Sequence, residues 1–143
     1  MSRLRPEVTI PDLNSRGSEY LPGYLGIEVT TLAQDKLNSR MPVRKLHFAP
    51  NDFLHAASVI ALADTTCGYA TIAHLPDGAQ SFTTIELKSN HLSTIKEGNI
   101  ACVATAQHLG RTTQVWDAVV TDEASGRKIA LFRCTQMILW PKN

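Results

Sequence analysis

The sequence predicts an α+β fold in which one curved antiparallel sheet wraps one long central helix. Three observations carry this prediction. The stretch from Ala56 to Ala73, AASVIALADTTCGYATIA, is apolar on nearly every side and holds one charged residue, Asp64; a helix of that kind is normally buried. From Ser81 onward the apolar period switches to two, as in half-buried strands. Turn signals at Leu109-Gly110 and Ser125-Gly126 separate β-branched runs, which is how antiparallel neighbours are joined. Strands at short spacing after a single helix argue for α+β rather than alternating α/β order.

Taken in order, residues 1–17 are polar, carry Pro6 and Pro11 and show no period, so they read as a tail or an arm packed on the surface. The folded domain then covers 18–143. Leu21-Pro22-Gly23 is a turn signal. Gly26 to Leu32 and Leu37 to Val43 look like two strands joined through Gln34-Asp35-Lys36, and Pro42 makes the second an edge strand or shortens it. Pro50-Asn51-Asp52 breaks the chain and offers Asn51 or Asp52 as N-cap of a helix from about Phe53 to Ala73. His74-Leu75-Pro76-Asp77-Gly78 ends that helix. Gly68 within it costs about 1 kcal/mol relative to Ala, a cost usually tolerated where another backbone approaches. Phe82 to Leu92 reads as a strand with Thr84, Glu86 and Lys88 on one face and Thr83, Ile85 and Leu87 on the other. Ile100 to His108, Thr112 to Thr121 and Ile129 to Leu139 complete the set.

Composition narrows the function classes. The chain has 143 residues, with 14 basic against 13 acidic side chains, enough for one domain and without the basic footprint of a nucleic-acid binder. Asp64 and several polar groups interrupt the best membrane-span candidate, and MSRLRPEVTIPDLNSRG lacks the apolar segment of a secretory signal. Cys67, Cys102 and Cys134 are odd in number and widely spaced, and no CxxC pair occurs, so neither a disulfide framework nor a zinc knuckle is expected. Free thiols fit a reducing cytoplasm. The histidines (His47, His55, His74, His91 and His108) are scattered, with no metal-ligand spacing.

Two titratable residues stand out. A carboxylate in an apolar helix loses hydration, which raises its pKa unless donors compensate. Asp64 is therefore a candidate base or nucleophile; the bland reading is a narrow wet stripe shared with Thr65 and Tyr69. His55 lies in the first turn of the predicted helix, nine residues before Asp64. At about 100° and 1.5 Å per residue, nine residues turn by about 900° and rise about 13.5 Å. The two side chains then point to opposite sides of one helix. If both are catalytic, the site combines two subunits, and a two-fold dimer makes two such sites. The helix start also gathers free N–H groups able to stabilise an oxyanion, and Ala56 and Ala57 are small enough to let a substrate approach. Otherwise His55 is a helix-start histidine bonding the backbone.

Leu54-His55-Ala56-Ala57-Ser58, running on through Leu62-Ala63-Asp64-Thr65 to Gly68, resembles the signature of hotdog-fold acyl-CoA thioesterases, in the branch that includes the phenylacetate-pathway enzymes. Leu21 to Ile27, Thr83 to Lys88, Glu97-Gly98, Leu109 to Thr112 and Gly126 to Ala130 resemble further family segments, covering about residues 18–139. The resemblance implies hydrolysis of an acyl-CoA thioester to free acid and CoA by a homodimer or a dimer of dimers. No cofactor beyond the CoA of the substrate is implied. It assigns Asp64 as general base or nucleophile and the Ala56 N–H as the donor polarising the carbonyl beside His55. Asn51 would hold substrate or water, and Thr84 would orient the lytic water, with Thr83 as the register alternative. The turn with His108, Gly110, Arg111 and Thr112 would contact CoA, unless it is simply a hairpin; His91 joins this substrate-binding group. Relatives have two glycines where this chain has Ala56-Ala57, so the donor survives if φ there is helical. The competing expectations are a hotdog dehydratase or hydratase, and a non-catalytic acyl-CoA binder. Ile60, Tyr69 and Phe82 are acyl-pocket candidates, or plain core.

Overall fold

The elements follow the order α1 (Ile10–Arg16), α2 (Leu21–Leu25), β1 (Glu28–Ala33), β2 (Lys36–Pro42), a 3-10 turn (Lys45–His47), α3 (Ala56–Ala73), β3 (Ser81–His91), β4 (Asn99–Leu109), β5 (Thr113–Asp122) and β6 (Lys128–Leu139). In this computed structural model, which describes residues 3–143, the strands form one antiparallel sheet ordered β1-β2-β4-β5-β6-β3. The period-two pattern explains the packing. Ile100, Cys102 and Ala104 of β4, Trp116, Ala118 and Val120 of β5, and Phe132, Cys134 and Ile138 of β6 are buried. Val59, Leu62, Ala63, Cys67 and Ala70 of α3 close the same core. Alanine and cysteine on both sides let helix and sheet approach closely. By length and composition α3 is apolar enough to cross a membrane, but half of it is buried inside the fold.

Several expectations need correction. The N-terminal segment is more than a surface arm: α1 is capped by Thr9, whose side chain accepts from the Asp12 N–H. Leu13 is fully buried in the main core, and Asn14 exchanges two hydrogen bonds with the Val29 backbone. Leu21-Pro22-Gly23 opens a short helix, which ends at Gly26 with φ +82°. Of the two expectations for β2 the edge strand fails, since β2 lies between β1 and β4, and the shortening holds: Pro42 ends the strand opposite Asn99. The N-cap of α3 is His55 rather than Asn51 or Asp52. The neighbour that Gly68 accommodates is a side chain, not a backbone: a Cβ there would sit 3.2 Å from Cζ of the Phe82 ring.

Strand β3 departs most. A bulge between Thr84 and Glu86 breaks its register against β6. Thr84 pairs with the buried Gln136 and faces inward, whereas Glu86 pairs with Thr135 and Lys88 with the exposed Arg133. Thr84 therefore shares the inner face with Leu87, not with Glu86 and Lys88.

Candidate active site

The loop before α3 is tied at both ends. The His47 ring is fully buried, accepts from the Arg44 N–H at Nδ1 (3.0 Å) and donates from Nε2 to the Leu25 carbonyl (2.9 Å). Burial holds its pKa below the ordinary histidine value. The His47 carbonyl then accepts from the His55 N–H and from Ser58 Oγ, both at 2.9 Å. This braces the helix start.

At that start, His55 Nδ1 accepts from the Ala57 N–H at 2.9 Å. In the neutral ring the proton is therefore on Nε2, which faces outward from an exposed residue. The Ala56 N–H, at the first helical position, has no intrahelical acceptor. Neither alanine has a positive φ, so both replace glycine without backbone strain. The result is one open N–H at the positive end of an 18-residue helix beside one imidazole N–H.

Asp64 lies half-buried at mid-helix. Its Oδ1 is buried with no hydrogen-bond partner, and burial alone raises its pKa above the usual carboxylate value. Residues i and i+4 stack on one helix face, so Asp64 shares the face of Gly68, which meets Phe82 of β3. Phe82 and Thr84 alternate to the same inner side of β3 before the bulge. Two periodicities thus turn Asp64 toward Thr84, and the latter's hydroxyl donates to Gln136 Oε1 at 2.6 Å. Thr83, opposite the exposed Met137, points away.

The remaining candidates separate. Asn51 is exposed, and its Oδ1 is taken by the Phe53 N–H at 3.2 Å. It shapes the loop, and within this chain its carboxamide is not drawn to Asp64. His91 lies exposed at the end of β3 nearer the helix start, where Thr94 Oγ1 accepts from the Leu54 N–H. The turn after β4 lies at the other end of α3: Gln114, near the start of β5, donates to the His74 carbonyl there. In that turn the Arg111 guanidinium stacks 4.3 Å from the Trp140 ring centroid. His108 Nε2 crowds Gly110, where a Cβ would meet it at 2.5 Å, and the Thr112 carbonyl accepts from the Ile138 N–H. An 18-residue helix spans about 27 Å, so this turn and His55 of the same chain cannot hold one substrate group. Sequence reading missed Gln136 and the bracing His47; their contacts reach 52 and 22 residues along the chain, beyond any local pattern.

A six-stranded antiparallel sheet wrapped on one long helix, with an unpartnered carboxylate at mid-helix and an open N–H at its start, is a hotdog fold of the hydrolase kind. The comparisons with known proteins agree. Residues 51–129 match the model of the thioesterase superfamily. The proofreading thioesterase EntH of Cronobacter turicensis is 32% identical over 132 residues, 92% of this chain and 95% of that protein. The 1,4-dihydroxy-2-naphthoyl-CoA hydrolase of Escherichia coli is 30% identical over 136 residues, 93% and 96% of the two chains. A variant thioesterase structure from Pseudomonas aeruginosa superposes with a TM-score of 0.90 at 28% identity, covering 96% of this chain and 99% of that one. The chain belongs to the thioesterase superfamily, and its class of activity is thioester hydrolysis.

Proposed function

We propose that this protein hydrolyses acyl-CoA thioesters at sites shared between two copies of the chain. The observation that carries the reading is the orphaned, buried Oδ1 of Asp64 at mid-helix, well along α3 from its N-cap His55. An unpaired buried carboxylate is destabilising, and it persists where a substrate or water completes it. In the reaction, the thioester oxygen lies on the Ala56 N–H and the His55 Nε2–H of one protomer. Asp64 of the other takes a proton from a water beside Thr84. The hydroxide adds to the carbonyl carbon, the C–S bond breaks, and the proton on Asp64 passes to the CoA thiolate. Thr84 on the β3 face turned to α3 supports the water route over direct attack by Asp64, because its hydroxyl oxygen, donating to Gln136, keeps lone pairs free to hold a water.

The sheet edge supports the shared site. β3 has no strand on its outer side, and Leu87 and His91 of its inner face are exposed. A long free edge is a template for pairing with a second copy. The aromatic and CoA chemistry named for the Escherichia coli relative makes benzoyl-CoA a sensible first probe, and Arg111 with Trp140 a candidate nucleotide contact.

The test is CoA thiol release from short, medium, long and aromatic acyl-CoAs by wild type, Asp64→Asn and His55→Ala. Co-expression of the two variants then gives the sharper result. A composite site regains one intact copy per mixed dimer, roughly a quarter of wild-type activity in a random mixture. No recovery, with mixed dimers demonstrated, would place both residues in one subunit's site and reject the arrangement.

A further inference from the structure

We propose that Gln136 is a positioning residue for the lytic water, acting only through Thr84; this rests on the thioesterase reading above. Gln136 is fully buried on β6, and its Oε1 accepts the Thr84 hydroxyl at 2.6 Å. Its Nε2 is buried without a partner. A buried amide left half unsatisfied is destabilising by about 1–3 kcal/mol, so packing alone does not account for its presence.

A hydroxyl has one hydrogen to donate. Committed to Gln136, it leaves Thr84 Oγ1 only lone pairs toward the Asp64 side, so a water there meets Thr84 as an acceptor. That water donates one hydrogen to Thr84 and the other to Asp64, which turns its oxygen lone pair toward the carbonyl carbon. Without Gln136 the hydroxyl rotates freely and can donate to the water oxygen, occupying the lone pair that must attack. The bulge just after Thr84 ends the inward alternation there, so Thr84 is the last β3 residue in the frame set by Phe82.

The test compares Thr84→Val, Gln136→Met and the double variant with benzoyl-CoA and octanoyl-CoA as probes, alongside thermal unfolding. Loss of one neutral hydrogen bond in the transition state corresponds to roughly 2- to 13-fold in kcat, with KM little changed. Gln136→Met is expected to show that loss, to unfold no earlier than wild type, and to add nothing to Thr84→Val. Gln136→Glu keeps an acceptor at the same reach and should restore much of the rate; it also serves if the Met variant does not fold. Multiplying losses in the double variant, or an unchanged kcat in Gln136→Met beside an impaired Thr84→Val, would overturn the proposal. If only Asp64→Asn loses activity and Thr84→Val does not, the positioning chain falls while the thioesterase reading stands. A wild type that releases no thiol from any acyl-CoA sinks both.

Discussion

Gln114 and Gln136 are cross-strand partners on β5 and β6, both fully buried against α3, yet they differ in how they are satisfied. Gln114 donates to the His74 carbonyl at 2.8 Å and accepts from the buried Trp116 Nε1 at 2.9 Å. His74 in turn donates from Nδ1 to the Ala70 carbonyl and accepts the Asp35 N–H at Nε2. That cluster ties the end of α3 to the β1–β2 hairpin, and each of these nitrogens and oxygens has a partner. One strand away, Gln136 has an idle Nε2, and Asp64 an idle Oδ1. A closed polar network holds a fold together; an open one holds capacity for something that arrives later.

The most forceful way to break this comparison is at Asp64 itself. Asp64→Asn removes the proposed base and should lower kcat by about 10²–10⁴ without lowering the unfolding temperature, because burial already disfavours the charged form. If the variant instead unfolds earlier with its turnover intact, idle buried groups do not mark function in this protein. At Gln114 the opposite balance is expected. Gln114→Leu orphans the Trp116 N–H and the His74 carbonyl, about 1–3 kcal/mol for each group, read as a clear drop in denaturant midpoint with kcat per folded molecule retained.

A pH series sharpens the contrast further. Burial lowers the pKa of His74 and of His47 below 6.5, so the stability their neutral rings provide is complete above the unfolded value. It is lost as pH falls through the lowered folded values. Asp64 runs the other way: burial raises its pKa above 3.8, and the proposed base must be ionised to act. The acid limb of kcat/KM should therefore lie above the ordinary carboxylate range and vanish from the residual rate of Asp64→Asn. The smallest effect is expected from Gly68→Ala. Helix propensity favours alanine by about 1 kcal/mol, while the Phe82 ring, 3.2 Å from the new methyl, must shift. Stability should change little, and any loss should appear in turnover through the neighbouring Thr84.

Much of this was legible along the chain. The helix was visible because Asp64 is its only charge, and β4, β5 and β6 because their burial alternates cleanly. The separation of His55 and Asp64 along the helix needed only the rise per residue, whereas their relative facing did not follow from the repeat, because His55 caps the helix in an extended conformation. Residues 10–16 escaped because seven residues around Pro11 carry too few turns for a period. The true N-cap escaped because histidine does that work less often than Asn or Asp. The faces of β3 after Thr84 were inverted because a bulge adds a residue without altering composition, and the Thr84–Gln136 bond joins strands from opposite ends of the second half of the chain.

Ile85 has a consequence for engineering. By occupying the bulge, it makes β3 two short strands written in different reading frames, one presenting Thr84 to the helix and the other presenting Leu87 and His91 to whatever lies beyond the edge. Deleting Ile85 would close the bulge with Thr84 still opposite Gln136, Glu86 still opposite Thr135 and Leu87 still opposite Cys134, so both halves would keep their inward residues while the bend between them was lost. A single codon thus sets the bend between the half of the strand that lines the pocket and the half offered to a neighbour, without deciding which side chains face inward.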